Sequence, residues 1–364
     1  MGARDLARGG PAANARRARA RRRAARDSLA LKVVVLTTTY PRDTRDHYGR
    51  FVAAGVERLR SAGMHVEVVG PASFRHFGLA YGEGVVPRLG RRPWLGPPLL
   101  VTMTRALRRA ARDADLVHVH WLHNAAAALL ARKPYVVTLH GTDMALAARA
   151  PWLARPLLRR ARGVIAVSRA LAEDAKRLGA RNVHVIPNGI DLPAAVREPA
   201  EPPHVLFAAR LAREKGVEEL VAATDGIPLV VAGDGPLRRL VPGTLGFLSP
   251  AELARLYDEA AVVVCPSRRE GFGVVCAEAM AHARPVVATA VGGLVDLVRH
   301  EETGLLVPPR DPRALRAALE RLLGDRELRE RLGAAGRARV ARACAWDEVT
   351  ARTLAVYRQA FAGR

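Results

Sequence analysis

Residues 262–280 read VVVCPSRREGFGVVCAEAM, which predicts a buried strand, a turn, a glycine loop and a helix. The apolar run Val262–Cys265 is typical of a strand covered on both faces of a parallel sheet. Gly271 and Gly273 allow the loop backbone to approach a ligand closely. A helix beginning near Val274 would direct its free N–H groups to the same place, where they suit phosphate or sugar oxygens.

Two glutamates, Glu270 and Glu278, frame this loop with seven residues between them. Glu270 precedes the glycines, where a sugar would lie. Glu278 falls about one turn into the predicted helix, within reach of a ribose diol. The alternative is a glycine-rich turn with two solvated glutamates, so the loop by itself does not identify a ligand.

Strand-like and helix-like stretches alternate on both sides of this unit. In the first half the strand-like runs are Lys32–Thr37, His65–Val69, Leu116–His120, Tyr135–Leu139, Val164–Val167 and Val183–Ile186. After a proline-rich break from Pro187 to Pro203 they continue as Val205–Ala208, Leu229–Ala232, Val262–Cys265, Val286–Ala288 and Leu305–Val307. This alternation predicts an α/β fold with two doubly wound, Rossmann-like halves, each built on a parallel sheet. Ligands of such sheets bind at the carboxyl ends of the strands, which here would border a cleft.

The pattern divides the chain into four segments. We predict a basic disordered arm over residues 1–28 and a first Rossmann-like domain over residues 29–195. A second Rossmann-like domain is predicted over residues 196–342, and a closing helix over residues 343–364.

The composition is strongly basic, with a formal net charge of +23 over 364 residues. This charge predicts an anionic partner, which could be nucleic acid, an anionic membrane face or a phosphate-bearing substrate; the alternative is an Arg-rich coding bias. No apolar run approaches the ~18 residues of a membrane-spanning helix, and no secretory signal is evident. Three cysteines without paired spacing fit a reducing compartment, so we expect a cytoplasmic protein.

Two further motifs follow predicted strands. Arg210 and Lys215 come directly after the strand Val205–Ala208 and could grip two oxygens of a diphosphate. His140 follows the strand Tyr135–Leu139 and could contact a sugar hydroxyl, although a lone histidine at a strand end is more often structural. His118 and His120 share a face of one predicted strand. Without a third ligand we interpret them as structural, and we predict no metal site.

The combination of motifs resembles glycosyltransferase family 4. The resemblance runs from about Lys32 to Tyr357, with the motifs in the order of the family. They are His140-Gly-Thr-Asp143, Pro187-Asn-Gly-Ile-Asp191, Arg210 with Lys215-Gly216, Gly233-Asp-Gly-Pro236, and the Glu270–Glu278 segment. The resemblance implies the GT-B fold, retention of anomeric configuration, and no metal or other cofactor. It also implies that the helix near Trp346 crosses back to the first domain.

The resemblance implies a role for each matched residue. Arg210 and Lys215 would hold the diphosphate of a nucleotide-sugar donor, with Gly49 beside it, and Glu278 would bind the ribose. His140 would contact the transferring sugar, and Asn188 would shape the cleft at the hinge. The remaining sugar contacts would come from Glu270 and from the amides of Gly271, Phe272, Gly273 and Val274. Glu270 and His140 are therefore the predicted catalytic residues.

The sequence departs from the family pattern in three places. The first loop contains only Gly49 where a glycine pair is usual, as in a subgroup that builds surface polysaccharides and teichuronic acid. Ala209 replaces the usual glycine before Arg210. The chain after Pro236 is short, so we expect one helix of the second domain to be lost or stunted.

We predict hexosyl transfer from a nucleotide-diphosphate sugar to a glycan or a lipid-linked acceptor. The alternatives are a nucleotide-sugar epimerase of the same fold and a non-catalytic anion-binding or nucleic-acid-binding protein. Nucleic acid is the less expected partner, because the sequence offers no aromatic stacking platform. The segment from Arg88 to Arg112 contains seven arginines and no acidic residue. This segment predicts peripheral binding to an anionic membrane, at the inner face of the cell membrane.

Overall fold

The computed structural model describes residues 31–43, 46, 48–81 and 84–362, so the predicted arm over residues 1–28 lies outside the described residues. Six parallel strands form the first sheet, in the order β2-β1-β3-β4-β5-β6. They are β1 (Lys32–Leu36), β2 (His65–Val69), β3 (Leu116–His120), β4 (Tyr135–Leu139), β5 (Gly163–Ala166) and β6 (Val183–Val185).

Five parallel strands form the second sheet, in the order β11-β10-β9-β7-β8. They are β7 (Val205–Ala208), β8 (Leu229–Ala232), β9 (Val262–Cys265), β10 (Val286–Thr289) and β11 (Leu305–Val307). The prediction of two parallel, doubly wound sheets is confirmed.

Helices connect the strands of both sheets. In the first half they are α1 (Arg50–Ser61), α2 (Val85–Arg91), α3 (Gly96–Ala110), α4 (Ala125–Leu130), α5 (Thr142–Ala147), α6 (Pro151–Arg160) and α7 (Arg169–Arg177). In the second half they are α8 (Val217–Ala223), α9 (Pro250–Glu259), α10 (Val274–Ala281), α11 (Leu294–Leu297), α12 (Pro312–Gly324), α13 (Arg326–Ala343) and α14 (Trp346–Ala362). Helix α9 begins with a capping box in which Ser249 and Glu252 each bond the other's backbone N–H.

The chain between β8 and α9 is short, as the sequence predicts. It contains one 3₁₀ turn, Arg238–Leu240, and a bridge between Gly233 and Gly246, with no α-helix in this described stretch. Thr244 ties the segment down by donating its hydroxyl to the carbonyl oxygen of Gly233 at 2.7 Å.

The side chains of the first sheet alternate between two cores. Val34 and Leu36 pack on one face with residues of α3, α4 and α6. Val33 and Val35 pack on the other face with residues of α1 and α14. This two-residue alternation follows from strand geometry and places the closing helix opposite the helices α3, α4 and α6.

Helix α14 returns to the first sheet after the chain has completed the second. Tyr357 lies fully buried against β3, and the guanidinium of Arg162 donates to the carbonyl oxygen of Ala360 at 3.0 Å. At the start of the helix, Trp346 packs so closely on Gly189 that a Cβ there would overlap the indole ring. The hinge segment after Asn188 is therefore held by the same helix that crosses between the two halves.

Candidate active site in the cleft

Each sheet has one point at which the strand order reverses. In the first sheet this point lies between β1 and β3, and in the second it lies between β7 and β9. Ligands of doubly wound sheets bind outside the carboxyl ends of the strands at such a point, because the connecting loops diverge there and leave a crevice. The predicted residues Arg210 and Glu270 follow β7 and β9, so the structure places both at the second of these positions.

A cavity of about 240 Å³ occupies the crevice beyond β7 and β9. Arg210, Lys215, Glu270, Gly273 and Val274 all contribute to its wall, which brings five of the predicted site residues together. Gly273 begins helix α10 in a left-handed conformation, with φ of 98°. The free N–H groups of the first turn of α10 therefore border a cavity that also carries two basic side chains.

Lys215 and Glu270 form an ion pair inside this cavity, with Nζ and Oε2 2.6 Å apart. The side chains are 27% and 16% exposed. Ser267 donates its hydroxyl to the same carboxylate oxygen at 3.1 Å. These two contacts hold Glu270 at the mouth of the glycine loop, and they engage only one of its two oxygens.

Arg210 is exposed at the rim of the cavity. One of its terminal nitrogens lies 3.2 Å from Oε1 of Glu214. In the first domain, burial raises the pKa of Tyr48, and the positive charge of Arg210 partly opposes this shift. Arg210 is therefore close enough to the loop before α1 for its charge to act on Tyr48.

The glycine loop after Glu270 is packed backbone to backbone. A Cβ at Gly271 would overlap the carbonyl oxygen of His140, and one at Gly292 would overlap the carbonyl oxygen of Glu270. Gly141, with φ of 112°, approaches from the first domain, and a Cβ there would lie 3.0 Å from Cα of Gly271. The loops of the two halves thus touch at glycines, a distance that side chains would prevent.

Glu278 lies in α10 behind the loop. The buried Tyr257 hydroxyl donates to Oε2 of Glu278 at 2.8 Å, which leaves Oε1 for another donor. Burial raises the pKa of Glu278, the Tyr257 hydrogen bond lowers it, and the charge of Asp191 raises it further.

His140 lies at the corresponding edge of the first sheet, within a cluster of rings. Its Nε2 atom is 3.0 Å from Nδ1 of His120, and the two rings are nearly parallel, with centroids 5.2 Å apart. Phe51 and Trp121 pack around it at centroid distances of 5.0 and 4.7 Å. Burial lowers the pKa of His140 to about 3, so the imidazole is neutral at physiological pH.

Asp143 of the same motif is structural. Its buried carboxylate accepts from the backbone N–H groups of Leu122, Gly141 and Met144 at 3.0, 2.9 and 3.1 Å. It fixes the turn that carries His140 and ties this turn to the loop after β3.

Phe272, Gly49 and Asn188 occupy different parts of the cleft region. The side chain of Phe272 is buried beneath the glycine loop. Gly49 begins α1 with φ of 71° and packs on the backbone of Thr39, which excludes any side chain at this position. Asn188 is half-buried in the hinge.

The two histidines of β3, both interpreted from the sequence as structural, have different contacts. His118 is structural, since its Nε2 and Nδ1 atoms contact the hydroxyls of Thr138 at 2.7 Å and Tyr357 at 2.6 Å. His120 instead contacts His140. The sequence contains one indication of this contact, because His120 ends the strand that precedes β4, and His140 directly follows β4.

Other contributors to the site were missed because they are distant in sequence. The Trp121 ring packs on His140 at a centroid distance of 4.7 Å, the Tyr257 hydroxyl donates to Glu278, and Gly293 donates its N–H to the carbonyl oxygen of Glu270 at 3.1 Å. None of these residues belongs to a motif that the sequence analysis recognised.

The sequence and the fold of this chain match known proteins. Residues 48–193 match the family model described as Glycosyltransferase Family 4, and residues 202–325 match the model described as Glycosyl transferases group 1. The sucrose-phosphate synthase from Thermosynechococcus elongatus superposes with a TM-score of 0.79 at 26% identity, over 92% of this chain and 100% of that one. The class that the fold and site define is the GT-B glycosyltransferases.

Two curated relatives place the chain within this class. The D-inositol 3-phosphate glycosyltransferase of Xylanimonas cellulosilytica is 37% identical over 301 residues, covering 68% of this chain and 72% of the relative. TuaC of Bacillus subtilis, whose name describes a teichuronic acid biosynthesis glycosyltransferase, is 30% identical over 351 residues. The match covers 80% of this chain and 89% of the relative. The chain belongs to glycosyltransferase family 4 and is a glycosyltransferase.

Proposed function

We propose that this glycosyltransferase transfers a hexose, with retention of anomeric configuration and without a metal, from a nucleotide-diphosphate sugar to a glycan or a lipid-linked acceptor. The observation that carries the proposal is the cavity beyond β7 and β9. Arg210, Lys215, Glu270 and the start of α10 converge there. This set combines positive charge for a diphosphate with a carboxylate for sugar hydroxyls.

In this proposal the donor diphosphate lies between Arg210, Lys215 and the first turn of α10. As the anomeric bond breaks, negative charge grows on the leaving phosphate, and prearranged positive groups stabilise that charge most in the transition state. Gly49 faces the diphosphate from the first domain at the start of α1. Lys215 can bind a phosphate oxygen while it keeps its contact with Glu270, because an ammonium group has three donors.

The two glutamates bind different parts of the donor, Glu270 the transferring sugar and Glu278 the ribose. Glu270 accepts hydrogen bonds from hydroxyls of the transferring sugar. The backbone of Gly271, Phe272, Gly273 and Val274 lines the other side of the sugar. Glu278 accepts the ribose diol through Oε1, the oxygen not engaged by Tyr257. Neutral His140 contacts the sugar from the first domain, and Asn188 bounds the cleft at the hinge.

A donor screen tests this function. Purified protein is incubated with uridine and guanosine diphosphate sugars, and release of the nucleoside diphosphate is followed with and without glycan acceptors. We expect release from donors of one base, lost in Lys215→Ala. Interconversion of the free donor sugar without transfer would identify an epimerase instead, and binding without any turnover would identify a non-catalytic protein.

Metal independence and retention are tested with the best donor. We expect the turnover to be unchanged by a chelator, because Arg210 and Lys215 supply the positive charge near the phosphates. Activity that is lost with the chelator and restored by Mg²⁺ or Mn²⁺ would overturn this part. Proton NMR of the first product should give the anomeric configuration of the donor, and the opposite anomer would contradict retention.

We further propose that the first domain binds an anionic membrane surface. Helices α2, α3, α4 and α6 contain no Asp or Glu. Leu99, Met103 and Leu107 of α3 are buried, whereas Arg105, Arg108 and Arg109 are exposed. No helix among the described residues is long and apolar enough to cross a membrane.

Exposed tryptophans accompany these arginines. Trp94 is 67% exposed before α3, and Trp152 and Leu153 in α6 are 74% and 53% exposed. Tryptophan rings favour the membrane interface, and each basic residue near an anionic surface contributes about 1 kcal/mol. Together these groups could hold the enzyme beside a lipid-linked acceptor.

Liposome sedimentation at rising salt tests the membrane proposal. We expect pelleting with anionic vesicles, weaker with neutral ones, that falls when Arg105, Arg108, Arg109 and Arg112 become Gln. A control variant with the same charge change on exposed arginines of the second half, at Arg213, Arg239, Arg255 and Arg313, should pellet like wild type. Equal pelleting of all three proteins would contradict the proposed surface, and tight binding to random duplex DNA would favour nucleic acid.

A further inference from the structure

His120 and His140 are brought together by strand register. His120 ends β3 and pairs with Thr138 of β4, so His140 follows two residues beyond this partner and on the same face. The Nδ1 atom of His120 and the Nε2 atom of His140 lie 3.0 Å apart, and the rings are inclined by only 14°. This geometry is that of a hydrogen bond between two imidazoles.

A hydrogen bond between two imidazole nitrogens contains one proton, so one ring donates and the other accepts. Burial lowers the pKa of His140 to about 3. Burial, and then the repulsion that protonated His118 and His140 would exert, lower the pKa of His120 well below its usual value. Both rings are therefore neutral. In a neutral pair, the tautomer of one ring determines the tautomer of the other.

The pair leaves one nitrogen of His140 for a substrate. Its Nε2 atom is engaged with His120, and its Nδ1 atom makes no hydrogen bond with any residue that the structure describes. The two nitrogens of His140 are coupled: Nδ1 presents an acceptor to a sugar hydroxyl when Nε2 donates to His120, and a donor when Nε2 accepts.

The surrounding rings prevent the pair from rotating. Phe51 and Trp121 pack on His140 at inclinations of 60° and 44°. Behind His120, the ring of His118 lies at a centroid distance of 4.4 Å and is itself held by Thr138 and Tyr357.

We propose that His120 is a positioning residue that fixes His140 in one tautomer and one orientation for its contact with the transferring sugar. The proposal rests on the proposed role of His140. His120 acts through His140, in the way that hydrogen-bond partners behind a functional group set its orientation and proton position.

Two substitutions separate this role from packing. His120→Asn places an amide near the position of Nδ1 and can keep the hydrogen bond, whereas His120→Leu removes it. We expect His120→Leu to lower kcat by about 10–100-fold with little change in the KM for the donor, and His120→Asn to stay close to wild type. Tyr357→Phe is the matched control, because it removes a hydrogen bond at the far end of the same cluster without reaching His140.

Nitrogen NMR of the histidine side chains reads the tautomer directly and needs no turnover. The signals of His140 are identified by their loss in His140→Asn. We expect a single neutral tautomer of His140 in wild type and in His120→Asn, and a mixture in His120→Leu.

A mixed tautomer in wild type, or unchanged kcat in folded His120→Leu, would overturn the proposal. Loss of kcat in Tyr357→Phe equal to that in His120→Leu would also overturn it, since the role would then be structural. If His120→Leu does not fold, the wild-type spectrum and the Asn variant still decide. An enzyme without transferase activity would refute the proposed function and leave the tautomer measurement intact.

Discussion

The two sheets differ in the charge of the side chains at the carboxyl ends of their strands. Beyond β7 and β9, the crevice holds Arg210, Lys215 and Glu270, with an ion pair of 2.6 Å at its centre. Beyond β3 and β4 lie imidazoles and aromatic rings, and burial lowers the pKa of His140 to about 3.

This difference follows what each side would bind. A diphosphate needs fixed positive charge. Beyond the second sheet this charge comes from Arg210, Lys215 and the N-terminus of α10. A sugar needs directional hydrogen bonds and a surface for its apolar edges, and a neutral imidazole beside rings can supply both. In the proposed function, the second half therefore binds the charged diphosphate, and the first half contacts the sugar.

The largest effect is expected from removing charge on the second side. Arg210→Ala or Lys215→Ala should lower kcat/KM by about 10²–10³, since the lost donor acts where charge develops in the transition state. Steady-state kinetics with the best donor measures this. Arg213→Ala is the control, because Arg213 is also basic and in the same turn but does not line the cavity. Near-wild-type turnover in both cavity variants would contradict the role of Arg210 and Lys215 in binding the diphosphate.

The substitution Gly271→Ala tests the backbone contact between the two halves, because it adds one methyl group there. In Gly271→Ala the new Cβ would overlap the carbonyl oxygen of His140, so the loops must separate. A displacement of this order can cost up to about 10² in rate, and we expect the loss in kcat more than in nucleotide affinity. Gly243→Ala, where a Cβ meets no atom within 4 Å, is the control. Full activity in Gly271→Ala would mean that the two halves act without this contact.

The buried histidines of the first half should make the stability of the protein depend on pH. Burial lowers the pKa of His118 to about 3, that of His123 to about 4 and that of His140 to about 3. Each depressed pKa favours the neutral folded form, so its stability is present above the unfolded pKa near 6.5 and is lost as the pH falls below it. Unfolding by denaturant should therefore require less free energy at pH 5 than at pH 7.

His123 allows this effect to be isolated. Neither of its ring nitrogens has a hydrogen-bond partner among the described residues, so His123→Leu removes a titrating group with little loss of bonding. The variant should lose about 2 kcal/mol less stability than wild type between pH 7 and pH 5. Identical pH profiles would show that His123 is not held neutral in the folded protein.

The smallest effect separates the two glutamates of the charged side. Glu278→Gln should weaken binding of the free nucleoside diphosphate by about tenfold, because a ribose contact changes little during reaction. Glu270→Gln should lower kcat more than it changes this affinity. Calorimetry with the nucleoside diphosphate measures both, and equal affinity in wild type and Glu278→Gln would contradict the ribose role.

The sequence by itself determined the strands, the parallel architecture and the residues that follow each strand. Apolar runs of four residues that are separated by helices favour buried strands, which is why the bounds of β7, β8 and β9 agree with the predicted runs. Arg210, Lys215 and Glu270 were found in the same way, because their positions after strands depend only on local spacing.

Only the tertiary structure decided which distant groups meet. The pairing of His120 with His140 depends on the register of β3 against β4, and the hydrogen bond from Tyr257 to Glu278 depends on how α9 packs beside α10. The glycine contact between Gly141 and Gly271 depends on how the two halves close on each other. Local spacing carries none of this information, because strand register and helix packing are determined by the fit of many side chains at once.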